Sequence, residues 1–247
     1  MEHTVIVRQL APGLWHFNEP WYENKTHFGR PVTVGTPHVE AYLIAGTEKA
    51  VLIDALEDWH TPALPELIRE ITDLPVEVYF THGHGDHVGA EAGNLLTAGF
   101  PMHLDLQDMD LMYEMADYFF GCVPDWMKPE NFIDLKAGTT IDLGGTVLET
   151  YAVPGHTKGC ICFLDRTHHV CFTGDAFGTI ITGLNTLRCA TLEDFLANVE
   201  AFEKWVDDDS CVLYNGHLGN VGGRFWTLAE LREHRLNFPK EIENMFR

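Results

Sequence analysis

The chain has 247 residues, 45% of them hydrophobic, with 16 Lys and Arg against 37 Asp and Glu for a formal charge of −21. The apolar fraction fills a real core and excludes disorder, while an acidic balance with its few positive charges scattered singly excludes nucleic acid and anionic lipid surfaces as partners. No run approaches the roughly 20 apolar residues of a membrane helix, and the N-terminal MEHTVIVRQLAPGLWHF lacks the basic start and apolar core of a secretion signal, so a cytoplasmic protein is expected.

The first part of the chain reads as strands: TVIVRQL, LWHF, EAYLIA and KAVLID, with Ala45-Gly46 turning the last pair into a hairpin. Thr61-Pro62 predicts the start of a helix running to about Ile71, with Leu64, Leu67, Ile68 and Ile71 on one stripe. VEVYFT (76–81) is a strand that runs directly into HGHGDH; AEAGNLLTAG is a short helix and FPMHL another strand. From Asp105 to Phe120 the apolar residues follow helical spacing. TTIDL and TVLETYAV are joined by Gly144-Gly145, a strong hairpin signal, and CICFL and HVCFTGD add two strands. Thr191 caps a helix with the stripe Leu192, Phe195, Leu196, Val199, Phe202 and Val206. CVLYN is a strand leading to Gly216-His217, and Thr227 with Glu230 forms a capping box for the last helix.

No repeat, linker or low-complexity stretch interrupts this order, so one domain over 1–247 is expected. Strands and helices in two successive blocks fit an α/β protein in which two mixed sheets pack together with helices outside, an αββα layering; periodicity alone admits other α/β arrangements. The six Cys form no CxxC pair and read as free thiols in a reduced compartment.

The chemistry-bearing residues are concentrated in a few places. His82, His84, Asp86 and His87 lie in THGHGDHVG, just after an apolar strand. His82 and His84, two apart, can address one ion, and Asp86 and His87, beyond Gly85, a second point. Gly83, Gly85 and Gly89 are expected to supply backbone freedom. His156 in AVPGHTKG, Asp175 in CFTGDAFG and His217 in LYNGHLG each follow a Gly at a strand end. Imidazole with carboxylate suits Zn²⁺ first and also Fe or Mn. The nine other His, including His16, His27, His38, His103 and the pair His168-His169, read as ordinary surface or core residues.

The HxHxDH loop, the PGHT histidine, the TGD aspartate and the final GH histidine resemble the metallo-β-lactamase fold superfamily, and Asp54 in VLID matches its first motif. The resemblance implies two divalent metal ions: His82, His84 and His156 would hold one, Asp86, His87 and His217 the other, and Asp175 would bridge them. Asp54 would brace the histidine loop by hydrogen bonds without touching metal. Two metals sharing a carboxylate can share a water and bring its pKa toward neutrality, so hydrolysis by a metal-bridging hydroxide is the expected chemistry, with Asp86 as ligand, orienter and proton shuttle.

Several branches of the superfamily are disfavoured by particular residues. Asp175 stands where those zinc β-lactamases that have a site-two cysteine carry Cys. His84 stands where flavodiiron proteins have Glu. The stretch AFGTIITGLN after Asp175 lacks the positive charge of the glyoxalase II type, and Gly178 replaces the Tyr of homoserine lactonases. A hydrolase of a small-molecule ester, thioester, lactone or related amide is expected. A mononuclear iron oxygenase of the persulfide dioxygenase type, or a metal-binding sensor without turnover, is the alternative. Trp21, Tyr22 and Phe28 in the connection 18–38 could wall the site. Met109, Met112, Tyr113, Met115, Phe119 and Trp126 are read as core first and an apolar lid second, and Lys158, Arg188 and Arg224 as surface charges near the motifs.

Overall fold

The computed structural model describes residues 3–27, 30–177, 189–218 and 224–240. The first sheet takes β1 (Ile6–Ala11), β2 (Leu14–Pro20), β5 (Pro37–Ala45), β6 (Ala50–Ile53), β7 (Val76–Tyr79), β8 (Met102–Leu104) and β9 (Ile133–Asp134) in that order, with β3 (Lys25–His27) and β4 (Arg30–Val32) as a separate hairpin. The second takes β10 (Thr140–Asp142), β11 (Val147–Ala152), β12 (Ile161–Asp165), β13 (Val170–Gly174), β14 (Val212–Asn215) and β15 (Trp226–Thr227). Both are mixed: β6, β7, β8 and β9 run parallel, as do β13 and β14, and the remaining neighbours in the two sheets are antiparallel.

The layering follows from the two-residue period of a strand. Tyr42, Ile44, Val51, Ile53 and Tyr79 point from the first sheet at Ile161, Phe163, Val170 and Phe172 of the second, and these residues form the core between the sheets. Their sequence neighbours Leu43, Leu52 and Val78 point the other way. There they meet helices α1 (Leu64–Ile71), α3 (Ala92–Thr97) and α4 (Met109–Phe120); the short α2 (Gly85–Val88) lies between α1 and α3 in the chain. Cys162, Leu164, Cys171 and Leu213 likewise face α5 (Leu192–Val206) and α6 (Leu228–Arg235). The αββα sandwich is therefore the observed fold.

The two caps expected at Thr191 and Thr227 behave as their residue types dictate. Thr191 accepts from the Asp194 amide at 3.1 Å, and Thr227 and Glu230 form the reciprocal box. Helix α1 begins at Leu64 rather than at Pro62: Ala63 is its N-cap, its amide donating to the Glu66 carboxylate at 3.2 Å and its carbonyl accepting from the Glu66 amide at 2.9 Å. The short strand β9 and the β3–β4 hairpin give no sequence signal, since too few residues carry a period.

A buried acid–histidine network below the sheet end gives no local signal either. His60 lies between Glu19, 3.1 Å from Nε2, and Glu91, 3.3 Å from Nδ1, while Glu19 also accepts from the amides of Glu57 and Asp58. Burial pushes the His60 pKa down, but the hydrogen bonds and charges of Glu19 and Glu91 outweigh it and raise it to about 9. A group raised above its unfolded value stabilises fully below about pH 6.5 and loses that contribution as pH rises through its folded pKa. Folding stability should therefore fall between about pH 6.5 and 9 by a few kcal/mol from this group. Denaturant titrations of metal-saturated protein at both pH values check this; a slope unchanged by His60→Gln would assign the loss elsewhere.

Candidate metal centre

The residues of the four motifs meet at one edge of the sandwich. β6 and β7 are parallel, so Asp54 and the His82–His87 segment leave the first sheet at the same end. β13 and β14 are parallel, so Asp175 and His217 leave the second sheet together. His156 follows β11, and the Ile161 amide donates to the Thr81 carbonyl at 2.8 Å, stitching the two sheet edges together beside the histidines. Strand ends thus bring together residues up to 135 positions apart (82 to 217).

Two donor sets result. In the first, His84 Nδ1 lies 3.0 Å from His82 Nε2 and 2.9 Å from His156 Nε2. In the second, His217 Nε2 lies 3.2 Å from Asp86 Oδ2 and 3.4 Å from His87 Nε2. Asp175 stands between them: Oδ2 is 3.5 Å from His156 Nε2 and 3.4 Å from His217 Nε2, and Oδ1 is 3.4 Å from His87 Nε2. All seven residues named from the motifs are therefore brought together, with Asp175 between the two donor sets.

The electrostatics of the two sets differ. Burial and then the neighbouring imidazoles hold His82 well below its ordinary pKa, and push His156 down to about 3, so both rings are neutral with lone pairs available. Burial also disfavours charge on His87 and His217, but Asp54 with Asp175 raises His87 to about 10, and Asp175 with Asp86 lifts His217 well above its usual value. For the carboxylates burial works upward, yet the imidazoles hold Asp86 and Asp175 far below the usual range. Three ring nitrogens converging on one point, beside a carboxylate pocket that draws positive charge onto buried imidazoles, are a donor set suited to cations. The residues fit metal ions on the chemistry of their atoms.

Asp54 occupies the bracing position. Its Oδ1 accepts from the Thr81 amide and its Oδ2 from Thr81 Oγ1 and His87 Nδ1, each at 2.8 Å. That fixes the proton on Nδ1 and leaves His87 Nε2 to face the site.

The glycines act differently from the expectation. Only Gly89 of the loop adopts a positive φ, +69°. Gly83 and Gly85 are needed for close approach: a Cβ on Gly83 would come 2.7 Å from Asp108 Cβ, and one on Gly85 2.4 Å from Phe119 Cγ. Helix α4 lies directly over the loop, so space rather than backbone freedom decides those positions.

The surrounding features divide. Met109 and Met112 are core residues and Trp126 packs against that core, whereas Tyr113, read as core first, is exposed on the outer side of α4. Trp21 stacks on His38 with centroids 3.5 Å apart, and the His38 carbonyl accepts from His217 Nδ1 at 2.6 Å. Tyr22 stacks on His3. Beside this face a cavity of about 240 Å³ is lined by His3, Glu19, Pro20, Trp21, Tyr22, Glu23, His38, Glu57 and Asp58. The Trp21 wall is thus joined to the metal centre through His38. Glu19, His38 and Glu57 form a further group of donor atoms within 4.8 Å of one another, so His38 is not the ordinary isolated histidine that its sequence surroundings suggest. Phe28, Gly178, Arg188 and most of AFGTIITGLN lie outside the described residues. Lys158 is exposed and Arg224 pairs with Glu230 at 2.7 Å. None of the six Cys forms a disulfide among the described residues, and four of them are buried.

Residues 34–217 match the family model of the metallo-beta-lactamase superfamily. The chain belongs to that superfamily. It is 25% identical over 207 residues, 80% of this chain and 85% of the relative, to a probable polyketide biosynthesis zinc-dependent hydrolase, BaeB, of Bacillus velezensis. It is 25% identical over 229 residues, 81% of this chain and 75% of the relative, to the acyl-coenzyme A thioesterase MBLAC2 of Gallus gallus. A third relative, the mitochondrial persulfide dioxygenase ETHE1 of Bos taurus, is 32% identical over 138 residues, 55% of this chain and 46% of its own length. Among solved structures, a metallo-beta-lactamase from Pontibacter korlensis superposes with a TM-score of 0.67 at 20% identity, covering 96% of this chain and 99% of that one. Among the described residues no helix is long and apolar enough to cross a membrane.

Proposed function

We propose that the protein is a metal-dependent hydrolase of a small-molecule ester, thioester, lactone or related amide. One observation carries this reading: two complete donor sets, His82/His84/His156 and Asp86/His87/His217, lie side by side with Asp175 reaching both. Two adjacent divalent ions, Zn²⁺ first, would supply a nucleophilic water at neutral pH and polarise the scissile carbonyl.

The chain's own residues do the rest. Asp54 sets the His87 tautomer, and His82 and His156 stay neutral and able to ligate. Asp86 is held ionised, and its side chain is 17% exposed where that of Asp175 is 2% exposed. It is the carboxylate of the pair that can take a proton from the attacking water and pass it to the leaving group as that group departs to solvent. The thioesterase among the relatives supports the class of bond, and the zinc-dependent hydrolase the class of reaction. The protein is expected to work on a small molecule in the cytoplasm, without nucleic acid or membrane as partner.

The similarity to a persulfide dioxygenase favours a second reading, a mononuclear iron oxygenase, and metal count separates the two. Elemental analysis should find two ions per chain, and a panel of chromogenic esters, thioesters, lactones and phosphodiesters should show metal-dependent turnover with one of the first three. One tightly bound iron, with activity unaffected by His217→Ala, would sink the dinuclear hydrolase.

A further inference from the structure

Asp108 is fully buried at the N-cap of α4, where an Asp ordinarily accepts from its own helix's first amides. It makes no such bond. Its carboxylate is instead turned onto two loops. Oδ2 accepts from the Gly83 amide at 2.9 Å and from Thr157 Oγ1 at 2.6 Å, and Oδ1 accepts from the Gly159 amide at 2.8 Å. Gly83 separates His82 from His84, while Thr157 directly follows His156. The side chain therefore ties together the two segments that carry every member of the first donor set, although 51 residues separate Asp108 from Gly159.

The packing is built around this carboxylate. A Cβ on Gly83 would come 2.7 Å from Asp108 Cβ, and one on Gly159 2.8 Å from its Cγ, so only glycine admits the carboxylate from either side. The helix forgoes its side-chain cap, and three bonds to buried donors take its place.

We propose that Asp108 is the positioning residue of the first metal site: a clamp that fixes the spacing of His82, His84 and His156 before an ion arrives. It touches neither metal nor substrate. The clamp preorganises the imidazoles, so that ion binding need not order two loops. The inference rests on reading those histidines as a metal site.

The test uses full-length protein stripped of metal and titrated with Co²⁺, followed by the visible absorption of the bound ion and by competition with a chromogenic chelator. Asp108→Asn keeps the shape but puts an amide group where a carboxylate oxygen accepted. It should weaken the first Co²⁺ step about 10–100-fold and shift its absorption band, the usual cost of losing a partner outside the ligand shell. Thr157→Val deletes only the hydroxyl donor and should move both readouts the same way, by less. A fold-only role would lower the melting temperature of the metal-free protein and leave the band in place. Wild-type Co²⁺ affinity and band in Asp108→Asn overturn the clamp; if that variant does not fold, the same result in Thr157→Val does. Wild-type protein that takes up no Co²⁺ would overturn the metal reading itself and the clamp with it.

Discussion

Asp86→Asn is expected to lower kcat by about 10²–10⁴, a rise of roughly 3–5.5 kcal/mol in the barrier, while metal content and KM stay near their wild-type values. His82, His84 and His156 would hold the first ion without Asp86, and His87, His217 and Asp175 would still offer three ligands to the second. What Asp86 alone adds is an ionised carboxylate at the solvent side of the site, kept so by its contact with His217 at 3.2 Å. Asn retains the size and loses both the charge and the proton acceptor. The comparison is made on metal-saturated enzyme, because partial occupancy of the second set imitates a catalytic loss. Near-normal kcat in fully loaded Asp86→Asn would leave Asp86 as a plain ligand.

Asp54→Ala should cost more in stability than any surface change. Removing this carboxylate strands the Thr81 amide, Thr81 Oγ1 and His87 Nδ1 together in a buried pocket. Leaving buried donors unsatisfied, or one buried charge without its partner, costs about 3–5 kcal/mol. For a chain of this size that lowers Tm by roughly 6–20 °C. Binding of the second ion should also weaken about 10–100-fold, since nothing then holds the His87 proton on Nδ1. Asp54→Asn, which still accepts one bond, should fall between. A Tm within about 2 °C of wild type in Asp54→Ala, read by calorimetry on metal-free protein, would reduce Asp54 to a turn residue.

The metal-centre candidates are legible in the sequence because each sits in a short local pattern. In HGHGDH the ligands are separated by one residue or none, and strand-end geometry over such a span leaves them little choice of direction. The caps at Thr191 and Thr227 are legible for the same reason: a hydroxyl, an amide three residues on and, at Thr227, a returning Glu are all local. Alternation in EAYLIA and KAVLID determines which residues face opposite sides, but not which side faces the other sheet.

Tertiary structure alone decided the long-range partners. Nothing near Asp108 indicates Gly83 or Gly159, and nothing near His60 indicates Glu19 and Glu91, 41 and 31 positions away. Buried Glu40 meets His16 and Asn18 only because β2 and β5 are neighbours. Glycine at 83 and 85 reads locally as backbone freedom, yet the helix crossing above makes it a matter of space. A local pattern limits what a segment can form through forces acting within a few residues. Which distant carboxylate satisfies a buried donor depends on which strands become neighbours, and burying the apolar faces of both sheets decides that.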